Sequence, residues 1–322
     1  MSGLRTLLRP SLWLALCAGV LQAFSIAWPG TGQTQGWLQL LSLVLLASTL
    51  QGLARSDAPL RVALPAAAWR SGAFGLAWLA GVFWWLHVSM HQVGGLPAPL
   101  SVAAVLLLAA ALGLYYVGAS LAWLVLVRRA RWTQRPLAAS VLFGALWLLA
   151  ELMRGQWFTG FPWGAVGYAH LESALAPAAP WVGVYGLSAL AAAGAMRLAW
   201  PQARVWGVLS LLLVLAFLRA LPDNDQLTQS AGSAEVELLQ ANIGQSEKFD
   251  PQHGVREALQ WYGQRLLASE QPLVIAPETA LPLLPRYLPE GYWATLQRHY
   301  ASGERLALVG MPWGDAERGY TN

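Results

Sequence analysis

The stretch best equipped for chemistry is Pro272-Leu-Val-Ile-Ala-Pro-Glu-Thr-Ala-Leu-Pro282. A short apolar run, Leu273 to Ala276, is bracketed by prolines and followed at once by Glu278. Such runs read as buried strands, and a proline at each end marks where pairing stops. Glu278 is therefore expected at the carboxyl end of a buried strand, where open α/β layers gather their functional groups. A carboxylate there is either a general base or a structural anion holding a loop amide. A second candidate is Glu151-Leu-Met-Arg154, whose charges are three residues apart at the end of an apolar segment. On a helix they are close enough to pair. Ionisable groups inside a membrane segment are costly, so the pair is either functional or an ion pair anchoring the helix end at the interface. The following Thr159-Gly-Phe-Pro162-Trp163-Gly164 run cannot be helical. It is expected to form a re-entrant or interfacial loop whose aromatics lie against lipid or a lipid-like substrate.

Two further patterns are weaker. His87 and His91 are four apart and share a helical face, a spacing that can bind metal. No third ligand accompanies them, so they are expected to be hydrogen-bonding histidines at the interface, and no metal or other cofactor is expected. The one cysteine, Cys17, lies inside the first apolar stretch. It excludes an intrachain disulfide, a cysteine metal cluster and a CxxC redox site, and reads as a small lipid- or helix-facing residue.

The elements that position these residues follow from composition. Of 322 residues 56% are hydrophobic and 11% charged, against about 25% charged in soluble domains. The charge deficit falls in the first 220 residues, so a polytopic membrane part precedes a soluble one. The eighteen tryptophans suit the headgroup level of a bilayer. The opening MSGLRTLLRP and the apolar stretch after it lack a clean small-residue cleavage site and read as a first span. Seven spans are expected, at residues 11–28, 37–54, 73–90, 100–127, 136–153, 181–199 and 205–221, each near the roughly 20 residues a bilayer needs. Eleven arginines fall on one side of this arrangement: Arg5, Arg9, Arg55, Arg61, Arg70, Arg128, Arg129, Arg131, Arg135, Arg197 and Arg204. The other side has Arg154 and Arg219. The positive-inside rule then puts the amino terminus in the cytoplasm and the soluble part outside it.

The chain thus divides into a transmembrane domain at 1–222, a polar linker at 223–233 and an α/β domain at 234–322. In the last, Val236, Leu238 and Leu239 suggest a strand. Asp250 and Pro251 are placed as N-cap and first residue of a helix with apolar positions Val255, Leu259, Tyr262 and Leu266. The strand ending at Glu278 follows, then a helix near 292–301 and a strand at 305–310. This order predicts a layer with parallel crossovers. There is no glycine-rich phosphate loop and no basic face suited to nucleic acid.

Together these features resemble a known family. The spans, Glu151-Leu-Met-Arg154…Thr159-Gly-Phe-Pro-Trp163…Gly167-Tyr168, and Gln240-Ala-Asn-Ile-Gly-Gln245…Lys248-Phe-Asp-Pro251 look like bacterial apolipoprotein N-acyltransferase. The soluble part is similar to the carbon–nitrogen hydrolase (nitrilase) superfamily, with Glu278 in its Pro-Glu-Thr/Ser motif. The resemblance implies a polytopic inner-membrane enzyme with a periplasmic αββα domain. It implies N-acylation of the N-terminal S-diacylglyceryl cysteine of lipoproteins, with a membrane phospholipid as acyl donor. A Glu–Lys–Cys triad would act through a thioester, with Glu278 as general base tuned by partial burial. Phe249 and Trp163 are expected to contact substrate.

The chain departs from that pattern in two residues. Its one lysine, Lys248, belongs to the segment before the first soluble helix, and its one cysteine is Cys17. The triad lysine and cysteine are absent, and Gly319-Tyr-Thr-Asn322 resembles the approach to the lysine. The resemblance thus implies a truncated copy, inactive alone, whose half sandwich exposes a sheet edge and face and is prone to aggregate. Two other readings stay open: a non-catalytic lipid- or lipoprotein-binding membrane module or half-enzyme, and a transporter. The transporter has little support, because the sequence shows no internal repeat.

Overall fold

Apolar runs without charge form helices in lipid because each backbone group must then be satisfied within its own segment. The structure, a computed structural model, describes residues 2–201, 204–220, 229–244, 247–315 and 319–321. The expected linker up to residue 228 and Gln245 of the second motif lie outside the described residues. Two compact units emerge, Met1–Asn224 and Asp225–Asn322.

In the first unit the helices are α1 (Ser2–Ile26), α2 (Gly36–Arg55), α3 (Leu60–Val82), α4 (Trp84–Val88), α5 (Ala98–Arg129), α6 (Pro136–Gln156), α7 (Ala179–Leu198) and α8 (Arg204–Arg219). A π-helical turn, Ser89–Val93, continues α4. Among the described residues four spans are long and apolar enough to cross a membrane: α2, α5, α6 extended to Thr159, and α7 extended back to Ala176. A fifth arises if α3 and α4 with its π turn, bent by 53°, form one span. Of the seven expected spans four to five are matched among the described residues; in α1 and α8 the described apolar stretches are Ser11–Ile26 and Val205–Arg219. Helix α5 has 32 residues, a rise of about 48 Å against about 30 Å of hydrocarbon.

Aromatic rings fill the centre of this unit. Trp78 of α3, Tyr116 of α5 and Trp147 of α6 are fully buried, with centroids 4.8 Å apart for both Trp78–Tyr116 and Tyr116–Trp147. Helices α3 and α5 approach closely at Gly75, where an added Cβ would lie 3.2 Å from the Gly113 Cα. Small residues at such a crossing replace the hydrophobic drive that lipid cannot supply between helices. At one end of the bundle the Arg128 guanidinium donates to the carbonyls of Leu53, Ser56 and Ala58. Those acceptors lie at the end of α2 and in the connection to α3, so two of the arginine-rich connections share an end.

The second unit has three parallel strands in the order β1 (Val236–Leu238), β2 (Leu273–Ile275) and β3 (Leu306–Leu308). The crossovers are α9 (Gly254–Ala268) and α10 (Tyr292–Tyr300), and β4 (Trp313–Asp315) pairs antiparallel with β5 (Gly319–Thr321). Period-two and period-3.6 apolar patterns account for this alternation. Val274 and Leu296 are buried with Val255, Leu259, Tyr262 and Leu266 of α9. On the other face of the sheet Val236, Leu238, Leu306 and Leu308 are exposed, in register across Leu273 and Ile275. Asp250 does not cap α9 as expected. Its Oδ1 accepts the Gln252 N–H at 2.9 Å and its Oδ2 meets His253 Nδ1 at 3.1 Å. The helix starts at Gly254, three residues later than expected, because Asp250 closes its own turn first.

Replacing Gly75 by Leu forces α3 and α5 apart. The expected cost is about 1–3 kcal/mol, read as an earlier unfolding midpoint of the detergent-solubilised chain, with Gly118→Leu on α5 as a neutral control because a Cβ there meets nothing within 4 Å.

Candidate functional site

Two groups of residues stand out, one in each unit. In the α/β unit Glu278 follows β2, the central strand, at its carboxyl end. Ala280 N–H donates to Pro277 O at 3.1 Å, turning the chain just past the strand, and Thr279 takes a left-handed φ of 55°. The next strand supports the turn: Leu281 N–H donates to Gly310 O at 3.2 Å. Gly310 has to be glycine, since a Cβ there would lie 2.6 Å from the Glu278 Cα. Lys248 Nζ donates to the Glu278 carbonyl oxygen at 3.1 Å and lies 5.9 Å from the Phe249 ring centre. Lys248 is thus brought to the turn that carries Glu278, with the Phe249 ring beside its ammonium. The partial burial expected for Glu278 is not found, because the residue is exposed. The cause is the turn, which carries the chain out past the sheet.

In the membrane unit Glu151 and Arg154 are buried on α6. They do not form the expected direct ion pair: each makes its hydrogen bonds to other groups. Both charges instead grip the backbone that follows α6. Arg154 Nη1 donates to Phe161 O at 2.8 Å and to Trp163 O at 2.7 Å, and Glu151 Oε1 accepts the Val166 N–H at 3.0 Å. The neighbouring Gly167 N–H donates to Ser188 Oγ of α7 at 2.8 Å. The loop so held contains three consecutive left-handed residues, Phe158, Thr159 and Gly160, with φ of 54°, 73° and 79°. For the two non-glycine residues this is strain on the order of 1 kcal/mol or more each, tolerated only where surrounding contacts over-determine it. Trp163 is 56% exposed and packs edge-on against Trp85 and Phe161. His87 and His91 stack at 5.5 Å and bond to Ser101 Oγ and Leu96 O. Among the described residues no three metal-ligating side chains cluster.

Residues 18–197, more than half of the chain, match the family described as Apolipoprotein N-acyltransferase N-terminal domain. The chain belongs to this family. An apolipoprotein N-acyltransferase of Verminephrobacter eiseniae is 49% identical over 96% of this chain and 58% of its own length. Those of Ralstonia nicotianae and Azotobacter vinelandii are 38% and 36% identical, over 89% and 94% of this chain and 53% and 57% of theirs. The chain therefore spans little more than half the length of the apolipoprotein N-acyltransferases it matches. Glu151, Arg154 and Trp163 fall within the N-terminal-domain match, whereas Lys248, Phe249 and Glu278 lie beyond it.

One polar joint of the family domain was not legible in the sequence. His170, fully buried, meets Gln39 Oε1 of α2 through Nε2 at 2.8 Å and Ser173 Oγ through Nδ1 at 2.8 Å. The amide oxygen only accepts, so Nε2 carries the proton and Nδ1 accepts from the serine hydroxyl. Burial pushes the His170 imidazole down to about 4. The available signal was a histidine closing the same loop that Arg154 and Glu151 hold.

Glu151→Ala strands the Val166 N–H and leaves the Arg154 guanidinium without a nearby anion; the expected loss is about 3 kcal/mol in detergent unfolding, and Glu151→Gln, which keeps an acceptor, loses less. The His170 joint has a defined pH window. An unfolded histidine protonates near 6.5 and the folded one only near 4, so the unfolded state binds more protons between these values. The contribution is intact above about 6.5 and lost as pH falls toward about 4. Melting temperatures of the wild type should fall more steeply across that window than those of His170→Asn.

Proposed function

We propose that this chain acts in the N-acylation of the N-terminal S-diacylglyceryl cysteine of lipoproteins, with a membrane phospholipid as acyl donor. It sits in the bacterial inner membrane, amino terminus in the cytoplasm and α/β unit in the periplasm. The observation that carries this reading is the joining, in one chain, of a helical unit matching the family over residues 18–197 to a carboxylate at the end of a central parallel strand. Bilayer-bound donor and acceptor explain why an α/β unit of this kind is attached to membrane-crossing helices.

In this mechanism Glu278 takes the proton of a cysteine thiol. The thiolate attacks the phospholipid ester carbonyl, the lysophospholipid leaves with the proton, and a thioester forms. The amino group of the lipoprotein cysteine then attacks the thioester, giving the amide and restoring the thiol. Cys17 lies in α1 of the membrane unit, and the Lys248 ammonium is engaged by the Glu278 carbonyl. Neither fits the nucleophile or the oxyanion-stabilising cation. We assign to this chain the base, Glu278, with Phe249 beside it, and the aromatic loop carrying Trp163 as a surface for lipid. The exposed aliphatic face of the sheet supports a nitrilase-like sandwich, in which a second sheet covers it. The competing reading, a lipid-binding module without chemistry, is favoured by the exposure of Glu278 in a unit whose described residues include no thiol.

A strain depleted of its own lipoprotein N-acyltransferase separates the two. The 322-residue chain alone is expected not to restore growth. The chain joined to the remaining sequence of the Verminephrobacter eiseniae relative is expected to restore it, and Glu278→Gln in that fusion to lower acyl transfer by about two to four orders of magnitude. Full growth with the Glu278→Gln fusion would overturn the assignment.

A further inference from the structure

A groove of about 650 Å³ runs between α5 and α6 and is closed at one end by Trp157–Phe161. On the α5 side its lining includes the small residues Ala111, Gly118 and Ala122. Its lining is hydrocarbon and aromatic except for the hydroxyls of Tyr115 and Thr159. Both walls belong to helices long and apolar enough to cross a membrane; beside the groove α5 turns Leu107 outward, 70% exposed, and Leu114 at the groove's edge is 66% exposed. The groove therefore opens onto lipid hydrocarbon. We propose that it seats one acyl chain of a bilayer glycerophospholipid, with the ester end at the 157–161 turn and the tail running toward Leu146 and Ala122.

The dimensions select this occupant. A helix about 10 Å across fills roughly 400 Å³ per turn, so the groove holds less than two turns, and the closed end blocks a helix from passing. Water is disfavoured because apolar cavities stay dry. From Leu108 to Ala122 α5 rises about 21 Å, comparable with the roughly 15 Å depth of one leaflet. At the closed end Trp157 and Phe158 are 55% and 90% exposed, as suits aromatics at headgroup level. Hydrocarbon gains nothing merely by leaving hydrocarbon, so preference for the groove comes from dispersion contact with fixed walls. The walls are fixed: Arg154 holds Phe161 and Trp163 through their carbonyls, and Tyr115 packs on Trp157 at 6.4 Å. The left-handed run Phe158–Gly160 forms the cap itself, which gives this strained turn a role.

This seat stands apart from the acyl-transfer reading, and its test reads lipid position rather than turnover. The full chain is placed in nanodiscs of dioleoyl phosphatidylcholine containing a phosphatidylcholine with a diazirine midway along one acyl chain. After photolysis, labelled peptides are mapped by mass spectrometry. Labelling is expected to concentrate on Leu112, Tyr115 and Met153 in excess over the open face at Leu107. Gly118→Trp fills the groove without a backbone clash, since a Cβ at Gly118 meets nothing within 4 Å. It is expected to abolish the excess, while Gly118→Ala keeps it. Ala122→Leu, a smaller filling, gives the same reading where Gly118→Trp fails to insert. Equal labelling of groove and open face overturns the proposal. So does an excess that survives the filling variants, or protein–protein crosslinks through Leu149 and Met153 that show a second copy in the groove.

Discussion

A carboxylate and a guanidinium buried at the end of an apolar helix each cost several kcal/mol unless their hydrogen-bonding capacity is met. Here the hydrogen bonds that each makes run to main chain rather than to the other. Arg154 binds the carbonyls of Phe161 and Trp163, and Glu151 receives the Val166 amide. The non-helical run after α6 is therefore folded back onto the helix it leaves. Everything that the loop presents depends on this clamp: the outward Trp163, the exposed Phe158, the left-handed cap and the buried His170 joint to α2. A loop of the same composition without the two charges would have no reason to choose this path.

The α/β unit follows a different constraint. Parallel strands bring their carboxyl ends to one edge, so the residues after β2 and β3 necessarily meet. That meeting is tight enough to require glycine at position 310, and it fixes the backbone under Glu278. Lys248 arrives at the same turn from the segment before α9, with the Phe249 ring beside its ammonium. One sheet face is covered by α9 and α10, whereas the other presents Leu238, Leu306 and Leu308 to solvent. A face so apolar is an interaction surface.

The proposed reading gives the two units one task. Its donor and acceptor, in the reading proposed here, are both held by the bilayer. In that reading a clamped aromatic loop and a carboxylate at a strand end are parts of one task. The structure describes the units one by one, and each part is intelligible within its own unit.

Much of this was legible in the residues themselves. Strand, helix, strand, helix, strand appeared in order because alternation and 3.6-residue periodicity are local properties. The proline-bracketed run before Glu278 marked the strand end, and the charge-poor first 220 residues marked the membrane unit. Span number was less legible, because α3 breaks near Phe83 and continues as α4 at an angle. What sequence spacing could not give was partner choice. Three residues' separation allowed Glu151 and Arg154 to pair, yet both found backbone groups brought by the returning loop. Asp250 likewise satisfied Gln252 before it could cap α9. The groove depends on the distance between α5 and α6, and the exposure of Glu278 on the direction of its turn. Periodicity is written in neighbouring residues and so can be read from the chain. Partners, cavities and exposure depend on where distant segments come to rest, and only the tertiary fold decides that.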